Sequence, residues 1–431
     1  MSKPKLLTWH DFLAPTGFAV VAQNLLKGFE EDFDIEVCAI NFRGGIKYDT
    51  SKYFIHPLTD YRNDNLNVNT LINRAKEWKP DIIFLFQDIF NIDTIIKEVR
   101  EASPHSKIIS YFPVDGTPLS PTYSDIFKYS DKIIAYTQWA LKVIKGHSLI
   151  DKPIEVLYHG VDNETFFPLP EKAITTLRKD INWKNKFVMG LVAKNQPRKQ
   201  IESTLRVFGM FAKGFKECTS CGHKMPKTQT LCELCSSEFL NSKGREKPDV
   251  VLYLHSQTKN PRYGRNASND LVSKALNSGF HPEDLGHAVS INSQDLGKVS
   301  PGVLNEIYNC MNIHVTSTVG EGCGLPLLES MAVGTPSIAP KHSAIPEMLG
   351  DTGRLVKNKA IFSLPNDNGH FRPIIDEEDY LFAMEEAYLK WKKSGKDIEK
   401  KPDLIDRALE KFSWVDKRDS LKRIFKSALP T

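Results

Sequence analysis

The strongest constraint on the fold of this chain is a rhythm. Short apolar strands alternate with amphipathic stretches, the pattern breaks at Phe167-Pro168-Leu169-Pro170, and then it starts again. Before the break, strands are predicted at Lys5–Trp9, Ile35–Ile40, Asp81–Phe86, Lys107–Phe112, Lys132–Tyr136 and Ile154–Tyr158, with amphipathic stretches such as Gly17–Phe29 and Leu66–Trp78 between them. After it, strands are predicted at Phe187–Ala193, Val250–His255, Ala288–Asn292, Ile313–Ser317 and Ser337–Ala339. Such alternation builds parallel, doubly wound sheets, an α/β architecture. A chain of 431 residues has room for two such units. The last segments, Pro402–Lys411 and Val415–Ser427, read as helices. Ligands of open α/β sheets bind beyond the carboxyl ends of the strands, so the loops that follow strands are where function is sought.

Composition narrows the class. Apolar residues are 41% and charged residues 26%, enough for an ordinary core. A net charge of +4 is too small to argue nucleic-acid binding. No apolar run approaches the roughly 18 residues of a membrane span. The N-terminus, Met1–Trp9, has a basic start but no long apolar region or cleavage site. The expected location is the cytoplasm, with peripheral contact with a membrane left open.

The stretch Gly320-Glu321-Gly322-Cys323-Gly324-Leu325-Pro326-Leu327-Leu328-Glu329 carries the clearest chemistry. Gly322 and Gly324 let the backbone turn tightly and let a ligand approach it. Pro326 fits a first helical turn, where its missing N–H costs nothing. The unpaired N–H groups of a helix start make an anion site. Glu321 on the loop and Glu329 about one turn into the helix can face one cleft. A phosphate between two carboxylates that accept hydroxyl hydrogen bonds describes a nucleotide-sugar site. An ordinary Gly-Pro turn before a core helix is the plainer alternative.

A second constellation is Cys218-x2-Cys221 and Cys232-x2-Cys235, with ten residues between the pairs. Two such knuckles read as one tetrahedral zinc site with four thiolate ligands. A pair of disulfides is the alternative, at odds with a cytosolic chain. A closed four-cysteine site has no open coordination position, so this metal is expected to be structural. Residues 216–247 form an insertion too small to bury a core of its own, so the metal would supply its stability. The ribbon is a candidate contact for a substrate or a protein partner.

The segment from Glu321 to Glu329 resembles the Glu-x7-Glu motif of GT-B-fold glycosyltransferases, closest to the retaining family often called family 4. The resemblance extends to Tyr158-His159-Gly160-Val161-Asp162 at the linker, to Lys194 with Pro197-Arg198-Lys199, and to Phe412-Ser413-Trp414. It implies two Rossmann-like domains facing across a cleft. These would be an acceptor-side domain at 1–168, a nucleotide-sugar domain at 169–405 that carries the zinc ribbon, and a helix at 406–431 crossing back to the first. It implies transfer of a sugar from a nucleoside diphosphate donor to a hydroxyl acceptor with retention. That acceptor is unnamed by the sequence: glycan, lipid, protein and modified nucleic acid all fit.

By the same resemblance, Glu321 holds the sugar and Glu329 the ribose, while backbone groups of Gly322, Cys323, Gly324 and Leu325 bracket sugar and phosphate. Lys194 and Lys199 fall where the family has a cationic pair, with Arg198 as a compensating group. Such fixed cations do the work of a divalent ion, so no catalytic metal is expected. Gly17 lies in the loop that faces the diphosphate; a plain helix cap by Thr16 is the alternative, and the two are compatible. Asp115, in Pro113-Val114-Asp115-Gly116, is offered to the acceptor, or else is a simple Asp-Gly turn. Val299, in the stretch Ser293–Ser300, would pack on the base. Cys323 either widens the sugar pocket or fills core. Alternative functions are an epimerase or phosphorylase on the same fold, or an inactive zinc-ribbon binding protein.

Overall fold

The structure is a computed structural model of the full chain, and it describes residues 2–14, 16–44, 52–58, 64, 66–147, 152–257, 270–285, 288–292, 299–364, 367–395 and 397–429. The first sheet has seven strands: β1 (Lys5–Asp11), β2 (Asp34–Ile40), β3 (Phe54–His56), β4 (Ile82–Phe86), β5 (Lys107–Phe112), β6 (Lys132–Ala135) and β7 (Ile154–Val156). Their spatial order is β3-β2-β1-β4-β5-β6-β7, and every pairing is parallel. β4 is a run of five fully buried apolar residues, as a central strand covered on both faces by helices requires.

The second sheet is built from β8 (Phe187–Val192) and, after an insertion of three strands β9 (Phe215–Cys218), β10 (Lys224–Pro226) and β11 (Leu240–Lys243), from β12 (Val250–His255), β13 (Val289–Asn292), β14 (Ile313–Val315), β15 (Ser337–Pro340) and β16 (Arg354–Val356). Its order is β13-β12-β8-β14-β15-β16, again all parallel. In each sheet the strand order reverses beside the first strand, between β1 and β4 and between β8 and β14. Such switch points open a crevice at the carboxyl ends of the strands. The loop after β1 ends at Thr16, and Gly17 opens the helix that follows. The loops after β8 and β14 hold Lys199 and Glu321.

The last helix, Trp414–Lys426, is capped by Ser413, whose hydroxyl accepts from the Val415 N–H, and it lies on the first half. Phe425 meets Phe29, Phe33 and Phe84 edge-on at ring separations of 5.2–6.0 Å. Lys422 and Lys426 both pair with Asp32 at 2.8 Å. At the linker Gly160 touches Trp414 so closely that an added Cβ would lie 2.6 Å from its ring.

Two local features depart from the sequence expectation. The helix Ile201–Lys213 stops where Gly214 stands at φ +80°, and Phe215 then starts the first strand of the insertion, for which no strand is predicted. An extra antiparallel hairpin, β17 (Asn358–Phe362) with β18 (Arg372–Ile375), fills the connection from β16 to the helix Glu377–Ser394.

Candidate active site

The loops after β8 and β14 are tied to each other before any ligand is considered. The Val319 N–H donates to the Arg198 carbonyl at 2.8 Å, and the Arg198 guanidinium donates to the Gly320 carbonyl at 2.7 Å. This brings the cations of one loop onto the carboxylate of the other. Lys199 Nζ makes a short ion pair with Glu321 Oε1, and Arg198 Nη1 lies 3.5 Å from Glu321 Oε2. Burial alone would raise the Glu321 carboxyl, but Lys199 and then Arg198 hold it below the usual carboxylate range. Burial pulls the Lys199 ammonium down, and Arg198 beside it adds to the effect. The Ser343 hydroxyl accepts from the Glu321 N–H at 2.9 Å and fixes the loop from below.

Gly324 caps the helix Leu325–Ala332 at φ +89°, a conformation that favours glycine. Gly322 lies against Pro113 of the first half, where an added Cβ would be 2.8 Å away. Glu329 is on that helix, half-buried, and accepts from the Tyr308 hydroxyl at 2.8 Å. Burial pushes its carboxyl up to about 7, with the Tyr308 hydrogen bond pulling the other way. The two motif carboxylates therefore differ: Glu321 is held ionised by cations, and Glu329 is poised near neutrality.

On the first half, Thr16 caps the helix Gly17–Leu26 by accepting from the Ala19 N–H, and its own hydroxyl donates to Asp11 at 3.0 Å. Gly17 faces Leu325 across the cleft, 3.7 Å from where its Cβ would be. Asp115 also faces the second half, with Oδ2 3.5 Å from Arg198 Nε and Oδ1 3.1 Å from Arg372 Nη2. Asp115, Arg198, Glu321 and Lys199 thus form one chain of charges. Lys194 is exposed, and it is Arg198 that joins Lys199 on Glu321. Cys323 is turned into the core, with Sγ 3.7 Å from the Met348 sulfur. Val299 is half-buried, and residues 293–298 of its loop lie outside the described residues. The sequence reading missed Tyr308, Ser343 and Arg372.

The insertion is a three-stranded sheet in the order β10-β9-β11. Its cysteine Sγ atoms all lie within 4.8 Å of one another, with Cys218–Cys235 and Cys221–Cys232 at 3.6 Å. That is far beyond a disulfide bond of about 2.05 Å. It is close to the roughly 3.8 Å edge of a tetrahedron with metal–sulfur bonds of about 2.3 Å. Each Cys-x-x-Cys is followed by a left-handed residue, Gly222 at φ +74° and Ser236 at φ +59°, whose N–H donates to the first cysteine carbonyl at 2.8 Å. The donor set and its paired turns fit a zinc ion. Arg206 of the helix Ile201–Lys213 joins the body to the insertion through a two-pronged pair with Glu233, and a 2.9 Å pair with Glu377 holds Arg206 on the body side.

Residues 282–364 match the family profile described as "Glycosyl transferases group 1". No curated protein matched the chain by sequence. Among solved structures, Anabaena HepE in complex with UDP-glucose is similar over 98% of this chain and 99% of its own, with a TM-score of 0.67 and 13% identity. The sucrose-phosphate synthase of Thermosynechococcus elongatus matches over 99% of both chains, with a TM-score of 0.67 and 14% identity. A glycosyltransferase from Rickettsia africae matches over 99% of both, with a TM-score of 0.63 and 14% identity. At such identities the likeness establishes the fold, which is GT-B. No helix among the described residues is long and apolar enough to cross a membrane.

Proposed function

We propose that this chain is a retaining, family 4-type glycosyltransferase that moves a sugar from a nucleoside diphosphate sugar to a hydroxyl acceptor. The observation that carries this reading is the convergence of Lys199 and Arg198 on Glu321, at the glycine turn that opens the helix Leu325–Ala332. The profile match over that region and the UDP-glucose bound by a structural neighbour support it. We take 1–168 as the acceptor-side domain, 169–405 as the donor domain and 406–431 as the crossing helix.

In this reading the diphosphate lies against Lys199, Arg198 and the N–H groups of Gly322 to Leu325. Fixed cations neutralise the charge that grows on the leaving phosphate without reorganisation, which is where electrostatic catalysis acts most strongly. No divalent ion is then needed for the chemistry. Glu321 accepts hydroxyls of the donor sugar and sets the anomeric carbon in line. Glu329 accepts the ribose hydroxyls, and Gly17 lets the first half close on the phosphate. Asp115 orients the acceptor hydroxyl. The anomeric carbon–oxygen bond breaks with its electron pair on the phosphate. The acceptor oxygen bonds to that carbon on the same face, and its proton passes to the leaving phosphate oxygen. Cys218, Cys221, Cys232 and Cys235 would hold one zinc ion, which supplies stability to the insertion.

The experiment is a thermal-shift panel of nucleoside diphosphate sugars, followed by product analysis. A donor at about 100 times its Kd adds roughly 2.7 kcal/mol to the folded state. NMR of the product linkage should show the donor's anomeric configuration, and inversion would refute retention. A chain that converts the donor with no acceptor present would be an epimerase. One that binds no donor and releases no nucleoside diphosphate would have lost the activity.

A further inference from the structure

The hairpin β17–β18 stands outside both sheets, in a strand-to-helix connection that in α/β units is ordinarily about 2–6 residues long. Here it occupies 357–376 and reaches the first half. The Phe371 N–H donates to the Thr117 carbonyl at 2.8 Å, and His370 Nδ1 lies 2.9 Å from the Pro118 carbonyl. Arg372 is 2% exposed. Its guanidinium donates to the Asp115 carbonyl at 2.6 Å and to Asp115 Oδ1 at 3.1 Å, while Asp367 of the same hairpin holds its other edge at 2.6 and 2.7 Å.

Two glycines make room for this contact. An added Cβ at Gly116 would lie 2.5 Å from the His370 ring. One at Gly320 would lie 2.1 Å from the Asp115 carbonyl oxygen and 2.2 Å from Arg372 Nη1. The loop carrying Glu321 and the loop carrying Asp115 therefore both close on the same guanidinium. A long, flexible ammonium could supply the charge but not this planar, four-point grip.

We infer that Arg372 is a positioning residue for the transfer site: through Asp115 and Arg198 it fixes the cation and carboxylate array across the cleft, and the hairpin that carries it is the strap between the two halves. The inference rests on the proposed transferase reading for its kinetic consequence, but not for its structural one. Asp115 is the coupling element. One carboxylate oxygen faces Arg372 and the other faces Arg198, which in turn reaches Gly320 and Glu321.

The test compares Arg372→Gln, Arg372→Lys, Asp115→Asn and the double variant Asp115→Asn/Arg372→Gln in the full chain. Release of UDP from UDP-glucose and the other donors of the panel is followed, together with UDP affinity. Arg372→Gln should lower kcat at least tenfold and leave the UDP Kd within about threefold, because Lys199 is untouched. Arg372→Lys should recover part of the loss. In the Asp115→Asn background, Arg372→Gln should cost less than threefold more, since residues acting as one unit are not additive. Multiplying losses would overturn the inference, as would an unchanged kcat.

If the wild-type chain releases no diphosphate from any donor, the transferase reading fails on its own. The strap is then judged by hydrogen exchange. Arg372→Gln should speed exchange of the 113–121 segment at least tenfold and leave the β9–β11 insertion unchanged. Equal exchange in 113–121, or a uniform rise along the chain, would overturn the strap.

Discussion

Glu329→Gln should make the protein more stable at alkaline pH and a poorer binder of its donor. The Glu329 carboxyl has its folded-state ionisation raised to about 7 from an ordinary 4.5, mainly by burial. A raised carboxyl favours the folded state below its unfolded value and loses that contribution as pH rises through the folded one. The carboxylate therefore costs nothing near pH 4 and its full penalty above about pH 7. At about 1.4 kcal/mol per tenfold change in proton affinity the penalty approaches about 3 kcal/mol. Glu329 is only half-buried, so about 1–3 kcal/mol is the figure to test.

Glutamine keeps the shape and an acceptor for the Tyr308 hydroxyl but removes the charge. Denaturation of wild type and variant at pH 5 and pH 8 should show the variant gaining about 1–2 kcal/mol between the two. UDP-glucose suits the binding arm, because its diphosphate is doubly esterified. At pH 8 the variant should bind it with a loss of about 1.5–3 kcal/mol, the worth of a charged hydrogen bond. At pH 5 the gap should narrow, since the wild-type carboxyl is then largely protonated. A stability difference that does not change with pH would refute the buried-carboxylate argument. Unchanged affinity at pH 8 would refute the ribose role.

Transfer should persist after brief treatment with a chelator that strips only loosely held ions, because Arg198 and Lys199 supply the charge; a strict requirement for added Mg2+ or Mn2+, scored by diphosphate release, would sink that mechanism. Mass spectrometry under native conditions should find one zinc per chain. Cys221→Ser should release it and open residues 216–247 to limited proteolysis while the two sheets keep their far-UV signal, and four freely reactive thiols in the native protein would reject the site.

Much of the fold is legible because parallel sheets write themselves as apolar runs. β4, β5 and β12 stand out since both of their faces are covered. The switch points follow from strand order, which sequence alone does not print, but the glycine turn and the basic loop are local signals that mark where they fall. Strand ends are less legible. Ile154–Tyr158 was expected where only Ile154–Val156 pairs, because Leu157 and Tyr158 are apolar for other reasons. Leu157 is buried in the core, and Tyr158 donates to Glu347 of the second half at 2.9 Å.

The site was half legible, and the missing half has one physical cause. Glu321, Glu329 and Lys199 announce themselves because a turn, a helix start and a charge fall within a few residues of one another. Tyr308, Ser343 and Arg372 act on them from other elements, and only the packing of those elements brings them near. Arg198 shows the same limit at short range. The resemblance puts the cationic pair on Lys194 and Lys199 with Arg198 as a compensating group, and only the fold shows that a short 3-10 turn at Pro197–Lys199 brings Arg198 to Glu321 and Asp115 while Lys194 is exposed. The hairpin left faint traces: Pro365-Asn366-Asp367-Asn368-Gly369 is a dense turn signal inside a connection too long for its place. What no local signal could carry is that His370 lies against Gly116 and Arg372 against Gly320. Each of those glycines reads as ordinary turn chemistry until the other half of the protein is set beside it. The residues that bind a substrate can be read from a motif, whereas those that hold the motif in place belong to the fold as a whole.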